Sequence, residues 1–292
     1  MKAKIQKLLK KIEKEKQIKI IFAIENGSRA WRMESKNSDY DVRFVFIKPL
    51  KDYFMLNVPT DVITKTYNRE GKPTAQEGCF IDIEGFDIMK FVRMLSSSNP
   101  TVIEWLCSDI VYLGNQSDVF INYAKNNFKP ISLYFHYSSM CKQNYLKYIK
   151  TRHLISYKKY LYAMRGLINA LYVKQFNKVP PINFIETINK IVVPLIIKDK
   201  LIHIINLKKL GLEKDIKKNI SEFDKFIETF LKTLEANKPE KITRATDSEI
   251  NEEIWKILNT EQDQPKEEEL KEVLIKEEYF KPIDKLKEGE KK

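Results

Sequence analysis

Ile18-Lys19-Ile20-Ile21-Phe22-Ala23-Ile24 runs into Glu25-Asn26-Gly27-Ser28-Arg29-Ala30-Trp31, and ten residues after Ser28 comes Ser38-Asp39-Tyr40-Asp41, leading into Val42-Arg43-Phe44-Val45-Phe46-Ile47. The first run is short, apolar and β-branched and stops at a Glu-Asn-Gly-Ser turn, as a buried strand does. The second is another strand, ended by Lys48-Pro49. Because strand side chains alternate with period two, Asp39 and Asp41 leave the backbone on the same side. That pairing suits a shared hard divalent cation, and Asp82 in Phe80-Ile81-Asp82-Ile83 is placed to complete the set from a neighbouring strand. Glu84 shares the face of Asp82 and is the alternative third acid. A Gly27-Ser28 turn opening a short helix offers backbone N–H groups and a hydroxyl to a phosphate chain.

Outward from this core, Asp61 to Tyr67 and Cys79 to Glu84 read as two more strands, giving a sheet of about four. Ile5, Leu8, Leu9 and Ile12 recur at helical spacing, which makes residues 3–16 an amphipathic packing helix. After Gly85 the pattern becomes helical. Asp87 reads as the N-cap of Ile88 to Ser96, and Asn99-Pro100 opens Thr101 to Cys107. From about Asp118 no strand alternation is found. Residues 156–176 form the clearest helix, with Leu161, Met164, Leu167, Ile168 and Leu171 as its apolar stripe, and further helical patterns cover 183–192, 199–209 and 219–235. Strands followed by helices make an α+β fold, a mixed sheet domain at 1–115 and an all-helical bundle at 116–260. Residues 261–292 are a Lys/Glu-rich tail with a thin stripe of Leu270, Val273, Leu274 and Tyr279, read as a marginal helix or a disordered end.

The 292 residues carry 52 Lys+Arg against 40 Asp+Glu, a net +12, and this charge is unevenly spread. Val119 to Ile185 contains no Asp or Glu, while Lys125, Lys129, Lys142, Lys147, Lys150, Arg152, Lys158, Lys159, Arg165, Lys174 and Lys178 supply +11 of the total. Interleaved with them are Tyr134, Phe135, Tyr137, Tyr145, Tyr148, Tyr157, Tyr160, Tyr162 and Tyr172. Cations suit phosphates and aromatic rings suit bases, so the stretch reads as a face for a polyanion; the plain alternative is that its tyrosines are core. Lys158, Lys159 and Arg165 are the expected phosphate contacts. Arg29 either reaches phosphate or pairs with Glu25, and Arg43, on the strand face of Asp41, either contacts phosphate or orients carboxylates. Glu104 reads as a packing residue in a buried ion pair.

Other chemistries find little support. Cys79, Cys107 and Cys141 form no CxxC pair, and His136, His153 and His203 form no zinc-binding group. No apolar run approaches the ~20 residues of a membrane span, and the basic N-terminus lacks the unbroken apolar stretch of a targeting signal. A cytoplasmic protein with no membrane partner is expected.

The two quoted strings resemble the signature of the DNA polymerase β-like nucleotidyltransferase superfamily. Within it the chain is most similar to the RNA-ligase-associated nucleotidyltransferases, the RlaP (YcgL-like) family, which also carries segments like Asp82-Ile83-Glu84-Gly85-Phe86-Asp87, Asn99-Pro100-Thr101-Val102-Ile103-Glu104-Trp105-Leu106 and Lys158-Lys159-Tyr160-Leu161-Tyr162-Ala163-Met164-Arg165. The resemblance runs in order from about residue 18 to 235. It implies a palm-like sheet domain, Mg²⁺ held by Asp39, Asp41 and Asp82 in a two-metal arrangement, and a triphosphate turn at Gly27 and Ser28. The implied reaction transfers a nucleoside monophosphate from an NTP, ATP first among them, with release of pyrophosphate. RNA ends are the implied acceptor and an RNA ligase the implied functional partner, in RNA repair. Arg32 stands where the family usually has Gly, and Phe86 where it usually has Trp. Two other readings remain open: a transferase acting on a protein or small molecule, and a nucleic-acid-binding module without turnover.

Overall fold

The computed structural model describes residues 1–57, 59–150, 155–212, 219–240 and 247–260. The expectation for the tail 261–292, and Arg152 and His153, lie outside them.

Helix α1 (Lys2–Lys16) leads into β1 (Lys19–Asn26), the single-turn α2 (Gly27–Ala30), β2 (Tyr40–Ile47), the short α3 (Leu50–Tyr53), β3 (Val62–Tyr67) and β4 (Ile81–Asp87). Then come α4 (Ile88–Ser96), α5 (Pro100–Cys107) and β5 (Val111–Gly114). The strands form one mixed sheet in the order β3-β4-β2-β1-β5, with β2 and β4 parallel and the other pairs antiparallel. The sheet therefore has five strands rather than four. β5 is only four residues long, too short to show alternation, and its pairing with β1 is interrupted by a register shift between Ala23 and Ile24.

One face of the sheet is closed by α1, whose Ile5, Leu8, Leu9 and Ile12 pack with Ile20, Val42, Phe44, Ile81 and Ile83. The α1 pattern is read correctly from sequence because its apolar spacing is that of a helix with one buried stripe. The other face meets α4 and α5, with Phe22 against Phe91 at 5.7 Å between ring centres. Asp87 caps α4 by accepting from the Met89 N–H, and Asn99 caps α5 by accepting from the Thr101 N–H, as their sequence positions require.

Beyond β5 the described residues are helical: α6 (Asp118–Asn126), α7 (Pro130–Tyr148), α8 (Tyr157–Phe176), α9 (Phe184–Lys190), α10 (Leu195–Lys209), α11 (Ser221–Lys232) and α12 (Ser248–Thr260). Helices α7 and α8 form the central pair. They approach closely at Gly166, where a Cβ would press on the Tyr137 carbonyl and the Cys141 amide. Tyr134, Tyr137, Tyr145, Tyr160 and Tyr172 are buried in this layer. That corrects the expectation that they stack on bases. Their rings fill the core and several of their hydroxyls reach carboxylates at its edge, Tyr145 donating to Glu228 (2.8 Å) and Tyr160 to Asp224 (2.9 Å) on α11. Tyr148, Tyr157 and Tyr162 remain half-exposed.

Residues Met1–Asn251 form one compact unit and Glu252–Lys292 a second, of which only the end of α12 is described. No helix among the described residues is long and apolar enough to cross a membrane.

Candidate active site

The site begins where β1 ends. Asn26 pairs in register with Asp41 on β2, and Gly27 then turns the chain with a positive φ of 63°. A side chain at 27 would be strained by that dihedral, and its Cβ would fall on the Asp41 carboxylate. Gly27 is thus required twice over, and the backbone of the turn lies directly against Asp41. Ser28 follows, 7% exposed.

Asp41 is the register partner of Asp82 across the parallel β2/β4 pair, and the next same-face pair along the strands is Arg43 with Glu84. Asp39 precedes β2 and is exposed. The acids feel one another. Burial raises the Asp41 carboxyl above its usual range, the Arg43 charge opposes this, and Asp82 and Asp39 raise it further. Asp39 is raised too, by burial first, with Lys158 and Arg29 opposing and Asp82 reinforcing. Cys79 borders the cluster, its thiol pushed up by burial and then by Asp82, Asp39 and Asp41.

Arg43 lies among these carboxylates. Its Nη2 donates to Asp82 Oδ2 at 2.8 Å and reaches Asp41 Oδ1 at 3.5 Å, while Nε lies 3.7 Å from Glu84 Oε2. Of the two roles open to Arg43 in sequence, the contacts are those of a carboxylate partner. Arg29 pairs with the backbone rather than with Glu25: it donates to the Ser38 and Asp39 carbonyls (2.7 and 3.1 Å) and lies 3.8 Å from the Tyr40 ring centre. It thereby clamps the loop that carries Asp39.

The structure brings Lys158, and neither Lys159 nor Arg165, to the acids. Lys158 is exposed on α8, close enough for its charge to lower both Asp39 and Asp41. Lys159 places its ammonium 3.7 Å from the Tyr148 ring centre. Arg165 is only 3% exposed: it donates to Glu104 Oε1 at 2.5 Å and stacks 3.6 Å from the Trp31 ring centre. Its expected phosphate contact fails because it falls on the buried side of α8, between Leu161, Met164 and Ile168.

Two participants escaped the sequence reading. Glu25 is fully buried, accepting from the Asp41 N–H at 2.9 Å and from the Tyr112 hydroxyl, and burial pushes its carboxyl up to about 7. Lys208, near the end of α10, is 3% exposed, and its charge reaches Asp39. The available signal was spacing: Ile197, Leu201, Ile204 and Ile205 form an apolar stripe, and a lysine occupies its next position.

Arg32, where the family usually has Gly, adopts φ 60°. That left-handed backbone is the reason glycine is favoured there. Its side chain turns to Asp109, 2.5 Å away. Phe86 packs against Trp105 with ring centres 4.6 Å apart.

The donor chemistry fits a hard divalent cation: Asp39, Asp41 and Asp82 offer only carboxylate oxygens, and the charge of Asp82 reaches both of the others. Among the described residues no three such side chains converge on one point, and Arg43 partly balances their charge.

The sequence matches the RNA repair pathway DNA polymerase beta family, RlaP, over residues 1–257. An uncharacterized protein of Bacillus subtilis (strain 168), YcgL, is 32% identical over 267 residues, covering 88% of this chain and 98% of that protein. A solved nucleotidyltransferase-like protein from Exiguobacterium sibiricum 255-15 is 15% identical, with 78% of this chain and 75% of that chain covered and a TM-score of 0.28. With its mixed sheet and paired strand carboxylates, the chain belongs to the RlaP family of polymerase β-like nucleotidyltransferases. The general chemistry of that class is transfer of a nucleoside monophosphate.

Proposed function

We propose that the protein transfers a nucleoside monophosphate from an NTP, with ATP the first to test, to the hydroxyl of an RNA end, releasing pyrophosphate. The observation that carries this reading is the register pairing of Asp41 with Asp82 beside a glycine turn that lies against Asp41. In the reaction the acceptor hydroxyl gives up its proton to solvent, its oxygen forms a bond to the α-phosphorus, and the bond from that phosphorus to the α–β bridging oxygen breaks, its electron pair leaving on pyrophosphate. Asp39, Asp41 and Asp82 would hold Mg²⁺, which when bound neutralises charge on the reacting phosphate and the leaving group. The chain's own groups bind and orient. The Gly27-Ser28 turn would take the triphosphate, the exposed Lys158 supplies a cation beside Asp39 and Asp41, and Arg29 fixes the loop that positions Asp39. The family description supports RNA as acceptor, as do the exposed lysines of the acid-free segment, and an RNA ligase is the functional partner this implies.

Purified protein with Mg²⁺ and each α-³²P-labelled NTP, with and without RNA, tests the reading. Label should move to RNA with the wild type and be lost with Asp41→Asn, a change of nearly constant shape that removes one ligand charge. Transfer retained in that variant would rule out the acid assignment. Label on protein or a small molecule would relocate the acceptor, and salt-sensitive RNA binding without any transfer would mark a binding module.

A further inference from the structure

The side chain of Arg43 is only 13% exposed, and the two halves of its guanidinium are held differently. Nη1 donates to two main-chain carbonyls, Val42 O at 3.0 Å and Asp82 O at 3.1 Å. Those acceptors belong to β2 and β4 and cannot move without the sheet. The carboxylate half has one short bond, to Asp82 Oδ2, and two long contacts, to Asp41 at 3.5 Å and Glu84 at 3.7 Å. Arg43's register partner is Glu84, yet its side chain leans back along the strands toward the Asp41–Asp82 pair. Glu84 is the more exposed carboxylate, 35% against 22% for Asp82. A fixed pivot with two alternative carboxylate partners on one sheet face is the arrangement of a cation with two positions.

We infer that Arg43 is a built-in counter-ion that competes with the divalent cation for Asp41 and Asp82, and that Glu84 receives the guanidinium when the cation binds. The inference rests on the proposed function, since it assumes a cation at Asp41 and Asp82. Its physical basis is charge: a like charge within about 4 Å opposes a second cation strongly in a partly buried site. With the cation absent, Arg43 Nη2 lies against both carboxylates, 2.8 Å from Asp82 and 3.5 Å from Asp41, where its charge offsets theirs. On binding, Arg43 turns about its main-chain bonds toward Glu84, freeing carboxylate oxygens on Asp41 and Asp82. Glu84 is then a positioning residue rather than a ligand, which resolves the choice between the two β4 acids in favour of Asp82.

The test measures Mn²⁺ binding by loss of the free-ion electron paramagnetic resonance signal, on the full chain and without nucleotide. Arg43→Gln keeps a hydrogen-bonding end but removes the charge, and should bind Mn²⁺ roughly tenfold more tightly. That gain should vanish when Asp41→Asn is added. Glu84→Gln should weaken Mn²⁺ binding severalfold in the wild-type background and leave it unchanged in Arg43→Gln. Affinity unchanged or weakened by Arg43→Gln, with wild-type binding still dependent on Asp41, overturns the inference and leaves the proposed function standing. Equal weakening by Glu84→Gln in both backgrounds makes Glu84 a ligand and overturns its receiving role. Binding indifferent to Asp41 in every background sinks the metal reading itself, and the inference with it. Melting curves guard against misfolding: Mn²⁺ should raise the melting temperature of Arg43→Gln more than that of the wild type, and no rise in either overturns the competition.

Discussion

At the scale of single residues, the site is organised around Asp41, and its environment has a cost that pH reveals. Glu25 is fully buried behind Asp41, and burial raises its carboxyl from 4.5 to about 7 against the opposing pull of the Tyr112 hydroxyl and the Asp41 N–H. Between about pH 4.5 and 7 the folded protein keeps a proton that the unfolded chain has released, so stability falls as pH rises through this window. Below it both states are protonated and the difference vanishes. At ~1.4 kcal/mol per pH unit the loss is about 3 kcal/mol by pH 8. Glu25→Gln retains an oxygen for the Asp41 N–H and removes the titration, so the variant should gain on the wild type by that order at pH 8 and little at pH 4. Urea midpoints at the two pH values check this; a wild type and variant that lose stability in parallel would place the dependence elsewhere. Asp39 and Asp41, also raised, give a slope of the same sign, so the variant's curve should be shallower rather than flat. Glu25 was visible in the sequence as the end of a strand. Its role was not, because nothing local foretells that Tyr112 from a strand 87 residues away will meet it.

At the scale of elements, Glu104 on α5 ties sheet to helices. It accepts from Trp31 Nε1 at 3.1 Å, from the Tyr137 hydroxyl on α7 at 3.0 Å and from Arg165 on α8. Trp31 directly follows the Gly27–Ala30 turn and meets Tyr162 edge-on at 5.9 Å, so α8, which carries Lys158, is indexed to that turn. Arg165→Met would leave Glu104 charged and short of a partner in the interior, at a cost of roughly 3–5 kcal/mol. Adding Glu104→Gln should restore much of it. Denaturant unfolding of the two singles and the double checks the coupling, and purely additive effects would mean that the pair does not act as a unit. Strands β1 and β2 and helices α4, α5 and α8 were readable because apolar period, turn residues and caps agree locally. β5 was not, being four residues supported only by its neighbour. Arg165 was misassigned because a helical wheel separates faces without revealing which one a distant glutamate will cover, and the buried tyrosines of α7 and α8 because ring and hydroxyl together suit a wet core position as well as a base-stacking one.

At the scale of the molecule, the net +12 is concentrated in a stretch whose nearest acids are otherwise engaged. Asp224 and Glu228 of α11 cover α7 and α8, yet they accept from Tyr160 and Tyr145 rather than pairing with lysines. Lys142, Lys147 and Lys150 are exposed at the end of α7 and just beyond, with no ion-pair partner among the described residues. Lys147 instead lies 5.1 Å from the ring centre of the half-exposed Tyr148, whose ring Lys159 also approaches. Unpaired surface cations beside an aromatic ring bind a single strand through phosphates first, and each phosphate neutralised releases a counterion, with a salt slope of about −0.7 per contact. If this end of α7 carries the acceptor, Lys142→Glu/Lys147→Glu/Lys150→Glu should weaken binding of a short single-stranded RNA most at low salt. The slope of log K against log salt should also become shallower by roughly 2, as expected for three lost contacts. Because none of the three is among the groups that touch or shift Asp39 and Asp41, the variant should bind NTP as the wild type does. Filter binding across a salt series measures slope and affinity together. An unchanged slope would place the acceptor on another face, whereas a lower affinity at unchanged slope would mean that the substitutions distort the fold rather than remove phosphate contacts.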